Sequence, residues 1–124
     1  MVSDIVNVRI GKLWLDDDNI IRYVVNPGMD ESLDDVIEVV KAFDEIRKDK
    51  IYPFLGDIRG AKSISREARQ YVAKSIVSSA SAIIVGSPVS QMLGNFVLRF
   101  HRSEIPQRLF TSEDEAIEWL KSFL

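Results

Sequence analysis

Apolar and polar residues alternate near the start of the chain, over residues 6–11. A period of two predicts a β-strand with one buried face. The alternation changes phase at Gly11, which is typical of a β-bulge. Turn-forming residues 16–19 then separate this strand from a second apolar stretch at residues 20–25. The chain is therefore predicted to begin with a β-hairpin.

Four later segments carry apolar residues at helical spacing, and each is preceded by a serine that can cap a helix. The second of these helices is predicted to continue to Ser79 and the third to Phe100. The first and last serines are followed three residues later by an acid, as in a capping box. The four capping serines are Ser32, Ser65, Ser87 and Ser112.

Apolar stretches of strand length lie between these helices, at residues 51–58, 81–85 and 108–111. The predicted order is β-β-α-β-α-β-α-β-α. Strands that alternate with helices pair mainly in parallel through right-handed crossovers. We therefore predict a single α/β domain over residues 1–124, with a mixed, mostly parallel sheet of about five strands and about four helices.

Composition narrows the functional classes. The 124 residues include no cysteine and one histidine, which argues against thiolate or multi-histidine metal sites. No catalytic serine elbow, phosphate-binding loop or dinucleotide fingerprint occurs, so we expect neither catalysis nor a cofactor. A formal net charge of −3 argues against nucleic-acid binding. No apolar run is long enough for membrane insertion and the start lacks a secretory signal, which predicts a cytoplasmic protein.

Basic residues cluster after the predicted strand at residues 51–58. Two predicted parallel strands end here, at residues 57–60 and 86–88, and each leads into a helix start, the position where α/β sheets favour ligands and anions. Cations in the first turn of a helix oppose its dipole, which indicates an anionic partner. The candidate partner- or anion-binding residues are Asp57, Arg59, Gly60, Ser63, Ser65, Arg66, Arg69 and Ser87.

Structural roles are the alternative for the same residues. Arg66 and Arg69 would then pair with Glu67, Asp57 or other acids nearby. Ser65 and Ser87 would serve as N-caps, and Asp57 would accept hydrogen bonds from its own loop.

The element order, the Asp57-Ile58-Arg59-Gly60 turn and the Ser63-Ile64-Ser65 helix start resemble the SpoIIAA-like, or STAS, domains. The later segments 84–88 and 108–112 are similar to an uncharacterised bacterial branch of that family. The resemblance implies a SpoIIAA-like fold and a protein-binding role like that of anti-sigma-factor antagonists, which a partner kinase phosphorylates on a serine at the start of the second helix. Arg66 occupies the matching position here, so Ser63 and Ser65 are the candidate phosphorylation sites.

These observations favour a non-catalytic protein-interaction module in signalling or regulation, with an unidentified protein partner. Binding of a small ligand or lipid is one alternative, since Met92, Gly94, Phe96 and Phe100 of the third helix could line a pocket. CRAL-TRIO lipid-binding domains, to which the chain is distantly similar, have such a pocket. A homodimeric structural protein is the other.

Overall fold

The structure, a computed structural model, describes residues 3–92, 95 and 105–124. The strands are β1 (Val6–Val8), β2 (Gly11–Leu15), β3 (Ile21–Val25), β4 (Met29–Glu31), β5 (Phe54–Asp57), β6 (Ala61–Ile64), β7 (Ser81–Ile84) and β8 (Gln107–Phe110). The helices are α1 (Leu33–Arg47), α2 (Arg66–Ser75), α3 (described over 88–92 and at 95) and α4 (Glu113–Lys121).

Six strands form the main sheet, in the order β1-β2-β3-β5-β7-β8. The first three are antiparallel neighbours, whereas β3, β5, β7 and β8 pair in parallel. This confirms the predicted mixed, mostly parallel α/β sheet with four helices. Helices α1 and α2 pack on one face of the sheet and α4 packs on the other, so each face has its own apolar core. Within the described parts of the chain, no helix is long and apolar enough to cross a bilayer.

The main sheet has six strands, where about five were predicted, because the first predicted strand is divided into β1 and β2. Arg9 and Ile10 form a turn, and Val8 pairs with Gly11 across it. The turn is held from outside the hairpin, since Arg9 N donates to Glu38 Oε1 of α1 at 3.0 Å and Ile10 is fully buried. Alternation alone could not reveal this turn, because the apolar pattern continues through it.

A second, two-stranded sheet lies where the sequence pattern predicts only loops. Strands β4 and β6 pair in parallel, with Asp30 opposite Ser63. Both strands directly precede helices. Their pairing places the starts of α1 and α2 side by side, because each helix begins within two residues of the end of one of these strands.

The helices start at the predicted capping serines, but helix α2 ends earlier than its apolar spacing predicts. Ser32, Ser65 and Ser112 are confirmed as N-caps. Helix α2 ends at Ser75 instead of Ser79, because Ile76 turns to an extended conformation and Ser79 N donates to Tyr52 O at 3.1 Å. Strand β5 begins at Phe54, three residues later than predicted. The predicted continuation of the third helix to Phe100 lies outside the described residues.

Candidate functional site

The two predicted strand ends meet at one edge of the main sheet. Strands β5 and β7 are neighbours, with Asp57 opposite Ile84. Gly86 then lies against Arg59, so closely that a Cβ atom on Gly86 would be 3.2 Å from Arg59 Cγ. The parallel pairing therefore brings residues from the two loops into contact, as the sequence predicted.

Asp57 and Arg59 form an ion pair at this edge. Arg59 Nε donates to Asp57 Oδ1 at 2.9 Å, and Arg59 Nη2 donates to Asp57 Oδ2 at 2.6 Å. The backbone N–H of Arg59 also donates to Asp57 Oδ1, at 3.1 Å, so Asp57 does accept from its own loop. The hydrogen bonds to this carboxylate raise the pKa of Arg59, and the charge of Glu113 adds to the effect. Arg59 remains about half exposed, with a side-chain accessibility of 47%.

The start of α2 presents further polar and basic side chains. Ser65 Oγ accepts from Ala68 N at 3.1 Å, which completes the N-cap. Arg66 is exposed, whereas Arg69 is half-buried and its Nη1 donates to Ile64 O at 3.0 Å. Of the two arginines on α2, Arg66 is therefore the more exposed to solvent.

Strand β6 and the turn before it complete the edge. Gly60 lies so close to β3 that an added Cβ would be 2.8 Å from Val25 O, and its carbonyl accepts from Gly28 N at 2.8 Å. Lys62 and Ser63 are exposed, and Ser63 Oγ donates to the carboxylate of Asp30. We call Arg59, Lys62, Ser63, Ser65 and Arg66 together the basic edge.

Ser87 takes part in a closed hydrogen-bond group at the start of α3. Its Oγ accepts from Ser90 N at 3.0 Å, as predicted for an N-cap. The fully buried Ser90 Oγ accepts from both Gly86 N and Ser87 N at 2.9 Å. These N–H groups are the ones that an anion would use at a helix start. Because Ser90 already binds them, the case for an anionic partner rests on the basic edge at α2.

An ion pair that the sequence did not predict joins the first hairpin to α1. Arg9 Nε and Nη2 donate to the two carboxylate oxygens of Asp35, each at 2.6 Å. Asp35 also closes the capping box with Ser32, whose N–H donates to Oδ2 at 3.0 Å. The hydrogen bonds from Arg9, together with those from Ser32, hold the pKa of Asp35 well below its usual range. The capping box was predictable from spacing, but the partner 26 residues away was not.

Replacing Asp35 by Asn is expected to destabilise the fold at neutral pH by about 1–2 kcal/mol, because the variant loses a charge-assisted pair and weakens a cap. A lowered pKa in the folded state gives stability that is present above the unfolded pKa and lost as the pH falls through the folded value. The wild type should therefore lose more stability in acid than Asp35→Asn. Urea unfolding at neutral and acid pH measures both effects. The exposed neighbour Asp34→Asn is the control, and equal losses in the two variants would contradict the assignment.

A second unpredicted feature is a buried carboxyl group beside a phenol. Tyr23 OH on β3 donates to Glu31 Oε1 at the end of β4, at 2.9 Å, and both side chains are buried. Burial raises the pKa of Glu31 to about 7; the nearby charge of Asp35 also raises it, while the Tyr23 hydrogen bond opposes the shift. The same burial and the charge of Glu31 raise the pKa of Tyr23. No local signal indicates the pair, because Glu31 stands among other acids in a segment that is predicted to be a loop.

Glu31 and Tyr23 border an apolar cavity of about 50 Å³ between the sheet and helices α1 and α2. The remaining lining residues are Val36, Val39, Phe54, Gly56, Ile58, Ile64, Val72, Ile76 and Ile83. Glu31 is thus a single ionisable carboxyl on an otherwise apolar wall.

One solved structure shows the fold. A protein of the DUF3478 family with a SpoIIAA-like fold, from Shewanella loihica PV-4, matches with a TM-score of 0.62 and 14% identity, over 96% of this chain and 93% of that one. A protein of unknown function from Arthrobacter sp. FB24 is 27% identical over 87% of this chain and 96% of its own, with a TM-score of 0.33. No curated protein matches the sequence.

The SpoIIAA-like match confirms the predicted fold at the level of architecture, with six main-sheet strands in place of five. Family membership comes from the sequence itself. The model for a domain of unknown function, DUF7793, matches residues 13–124, which is most of the chain. The chain therefore belongs to the DUF7793 family.

Proposed function

We propose that the protein is a non-catalytic protein-interaction module that binds an acidic protein partner through the basic edge. The observation that carries the proposal is the placement of Lys62 and Arg66, two exposed cations on either side of Ser63 and Ser65 at the start of α2. A helix start disfavours positive charge by a few tenths of a kcal/mol per residue. An acidic surface seated on the edge would offset that cost.

The SpoIIAA-like architecture supports a role in signalling or regulation like that of the anti-sigma-factor antagonists. In this role a partner kinase would phosphorylate Ser63 or Ser65. Ser63 is the more exposed of the two hydroxyls, and it donates to Asp30. A phosphate there adds about −1.5 to −2 charges beside Asp30 and between the cations of the basic edge. The modified edge would repel an acidic partner, so phosphorylation would release it.

The double substitution Lys62→Glu with Arg66→Glu is expected to weaken partner binding at least about tenfold, because it replaces two attractive contacts with two repulsive ones. The partner is first identified by mass spectrometry of the protein purified from its own organism with phosphatases inhibited. Binding of the purified partner is then measured by calorimetry at low and high salt. Affinity for the wild type should fall as salt rises.

Lys41→Glu is the matched control, since Lys41 is an exposed cation on α1 outside the basic edge. Neither Lys62 nor Arg66 is buried, and an acid at the start of α2 suits the helix dipole. The double variant should therefore unfold at a urea concentration no lower than that of the wild type. Unchanged affinity in the folded double variant would remove the basic edge as the binding surface. A phosphate mapped to Ser63 that leaves affinity unchanged would remove the switch.

The other expectations from the sequence stay predictions: a cytoplasmic location, no nucleic-acid binding, no membrane insertion and no cofactor. The lipid-binding alternative was placed on the third helix. Of its residues Met92 is half exposed at 52%, and Gly94, Phe96 and Phe100 lie outside the described residues. Sedimentation at micromolar concentration tests the homodimer, which requires a stable dimer with no other partner.

A further inference from the structure

The apolar cavity lies next to the basic edge, since Ile64, which stands between Ser63 and Ser65, lines it. Its walls come from the sheet and from the inner faces of α1 and α2. Tyr23 and Glu31 supply its polar lining, and aliphatic and aromatic side chains supply the rest. Such a space, mostly apolar with a few converging polar groups, is typical of small-molecule sites.

Helix α2 covers the cavity loosely. Ala68 is its one fully buried residue, and α2 packs chiefly against α1. Val72 on α2 and Ile58 after β5 line the cavity and are half-buried, so this side faces the protein surface. A small molecule could enter here by displacing side chains without unfolding a strand.

The polar end is held in place before any ligand binds. Glu31 O accepts from Ser65 N at 3.0 Å, and Glu31 Oε1 accepts from Tyr23 OH at 2.9 Å. The neighbouring carboxylate of Asp35 is already neutralised by Arg9. Among the salt bridges of the described residues, none supplies a cation to Glu31. A buried carboxylate without a cation is costly, and a ligand ammonium group paired with it offsets part of that cost.

We propose that this cavity binds a small apolar primary amine, with the ammonium group paired to Glu31 and the hydrocarbon body against Val36, Ile64 and Ile83. An anionic ligand would meet like charge at Glu31. An alcohol of the same size would leave the carboxylate without a counter-charge. The proposed site adjoins the basic edge, but it rests on the cavity and on Glu31 and would stand if the partner-binding proposal failed.

The cavity volume limits the size of the amine. An apolar cavity of about 150 Å³ takes benzene, and this one measures about 50 Å³. In proportion, an amine with a chain of no more than about two carbons fits, with its last carbon toward the half-buried side at Val72. A ligand this small binds weakly, with a Kd on the order of 1 mM.

The charges around Glu31 also set the pH dependence of binding. The groups that face it are Tyr23 from β3 and Asp35 from α1, the latter paired with Arg9. Glu31 ionises near pH 7, whereas an alkyl amine stays protonated to about pH 10. Affinity for the amine should therefore rise from about pH 6 to about pH 8 and then level off.

Ethylamine titration monitored by NMR of the isoleucine methyl groups tests the proposal. Shifts should concentrate at the four isoleucines that line the cavity, Ile58, Ile64, Ile76 and Ile83. Glu31→Gln should weaken binding at least about tenfold, since it removes the charge and keeps an acceptor for Tyr23. Val72→Leu should weaken it similarly by filling the space. Glu67→Gln, which alters an exposed carboxylate on α2, should change the Kd by less than about twofold.

Matched ligands complete the test, because ethanol and acetate have nearly the same size as ethylamine. Either one binding as tightly as the amine would overturn the proposal, as would full affinity in Glu31→Gln. Shifts confined to surface residues, with none at the four isoleucines that line the cavity, would also overturn it. The spectrum of each variant shows directly whether it is folded, so a loss of binding cannot be confused with unfolding.

Discussion

Between pH 4.5 and about pH 8, the wild-type protein is expected to lose about 3 kcal/mol of stability that the Glu31→Gln variant keeps. Glu31 has a pKa of about 7 in the fold, against 4.5 for an unperturbed glutamate, because it is buried beside an apolar cavity. Each unit of that difference corresponds to about 1.4 kcal/mol. The side-chain amide of the variant still accepts a hydrogen bond from Tyr23 and carries no titrating proton.

The direction follows from proton binding in the two states. A raised pKa means that folded Glu31 keeps its proton between about pH 4.5 and pH 7, while the unfolded chain releases it. Stability therefore falls as the pH rises through this window and becomes constant above it. The low pKa of Asp35 acts oppositely and at lower pH, so the two groups do not mask each other.

Urea unfolding at several pH values, followed by the fluorescence of Trp14 and Trp119, measures the difference. Glu67→Gln is the control, because Glu67 is exposed on α2, and its pH profile should parallel that of the wild type. Parallel profiles for wild type and Glu31→Gln would mean that Glu31 titrates near its ordinary pKa in the fold. The burial of this carboxyl would then have no measurable effect on the pH dependence of stability.

Replacing Gly11 by Ala is expected to destabilise the protein by about 3 kcal/mol or more, within the range of severe steric and backbone effects. A Cβ atom at this position would lie 2.1 Å from Val24 O and 3.2 Å from Val25 Cα. Both contacts are with the backbone of β3, the strand paired to β2. No side-chain rotation can relieve them, so the β2–β3 pairing must shift.

The variant Gly28→Ala measures the cost of a left-handed backbone conformation in the absence of steric crowding. Gly28 has a φ of +76°, and a Cβ atom there would meet nothing within 4 Å. Its substitution should therefore cost about 1 kcal/mol, the usual cost of a left-handed conformation in an L residue. Thermal or urea unfolding of both variants gives the comparison. A smaller loss for Gly11→Ala than for Gly28→Ala would contradict the close approach of β2 to Val24.

Local signals in the sequence predicted the helix starts well. A serine cap depends on groups within three residues, so Ser32, Ser65 and Ser112 were recognisable from spacing. The parallel order of β3, β5 and β7 also followed from the alternation of strands and helices. The meeting of Arg59 with Gly86 is a consequence of that order, since neighbouring parallel strands end at the same edge.

Capping and periodicity could not predict the contacts between segments that are distant in the sequence. The turn at Arg9 exists because Asp35 and Glu38 of α1 hold it. Helix α2 stops at Ser75 because the next residues bond to the loop before β5, although the apolar spacing continues. In both cases a tertiary hydrogen bond overrides a local periodicity that remains equally compatible with the other structure.

The α/β class, the helix starts and the strand end beside the basic edge were predictable from periodicity, capping and the order of elements. The pairing of β4 with β6 and the burial of Glu31 against Tyr23 appeared only in the folded structure, because they join segments that no local pattern connects. All glutamates have the same intrinsic pKa in an unfolded chain. The pKa and the role of a buried glutamate depend on the solvent that folding removes and on the partners that folding brings near.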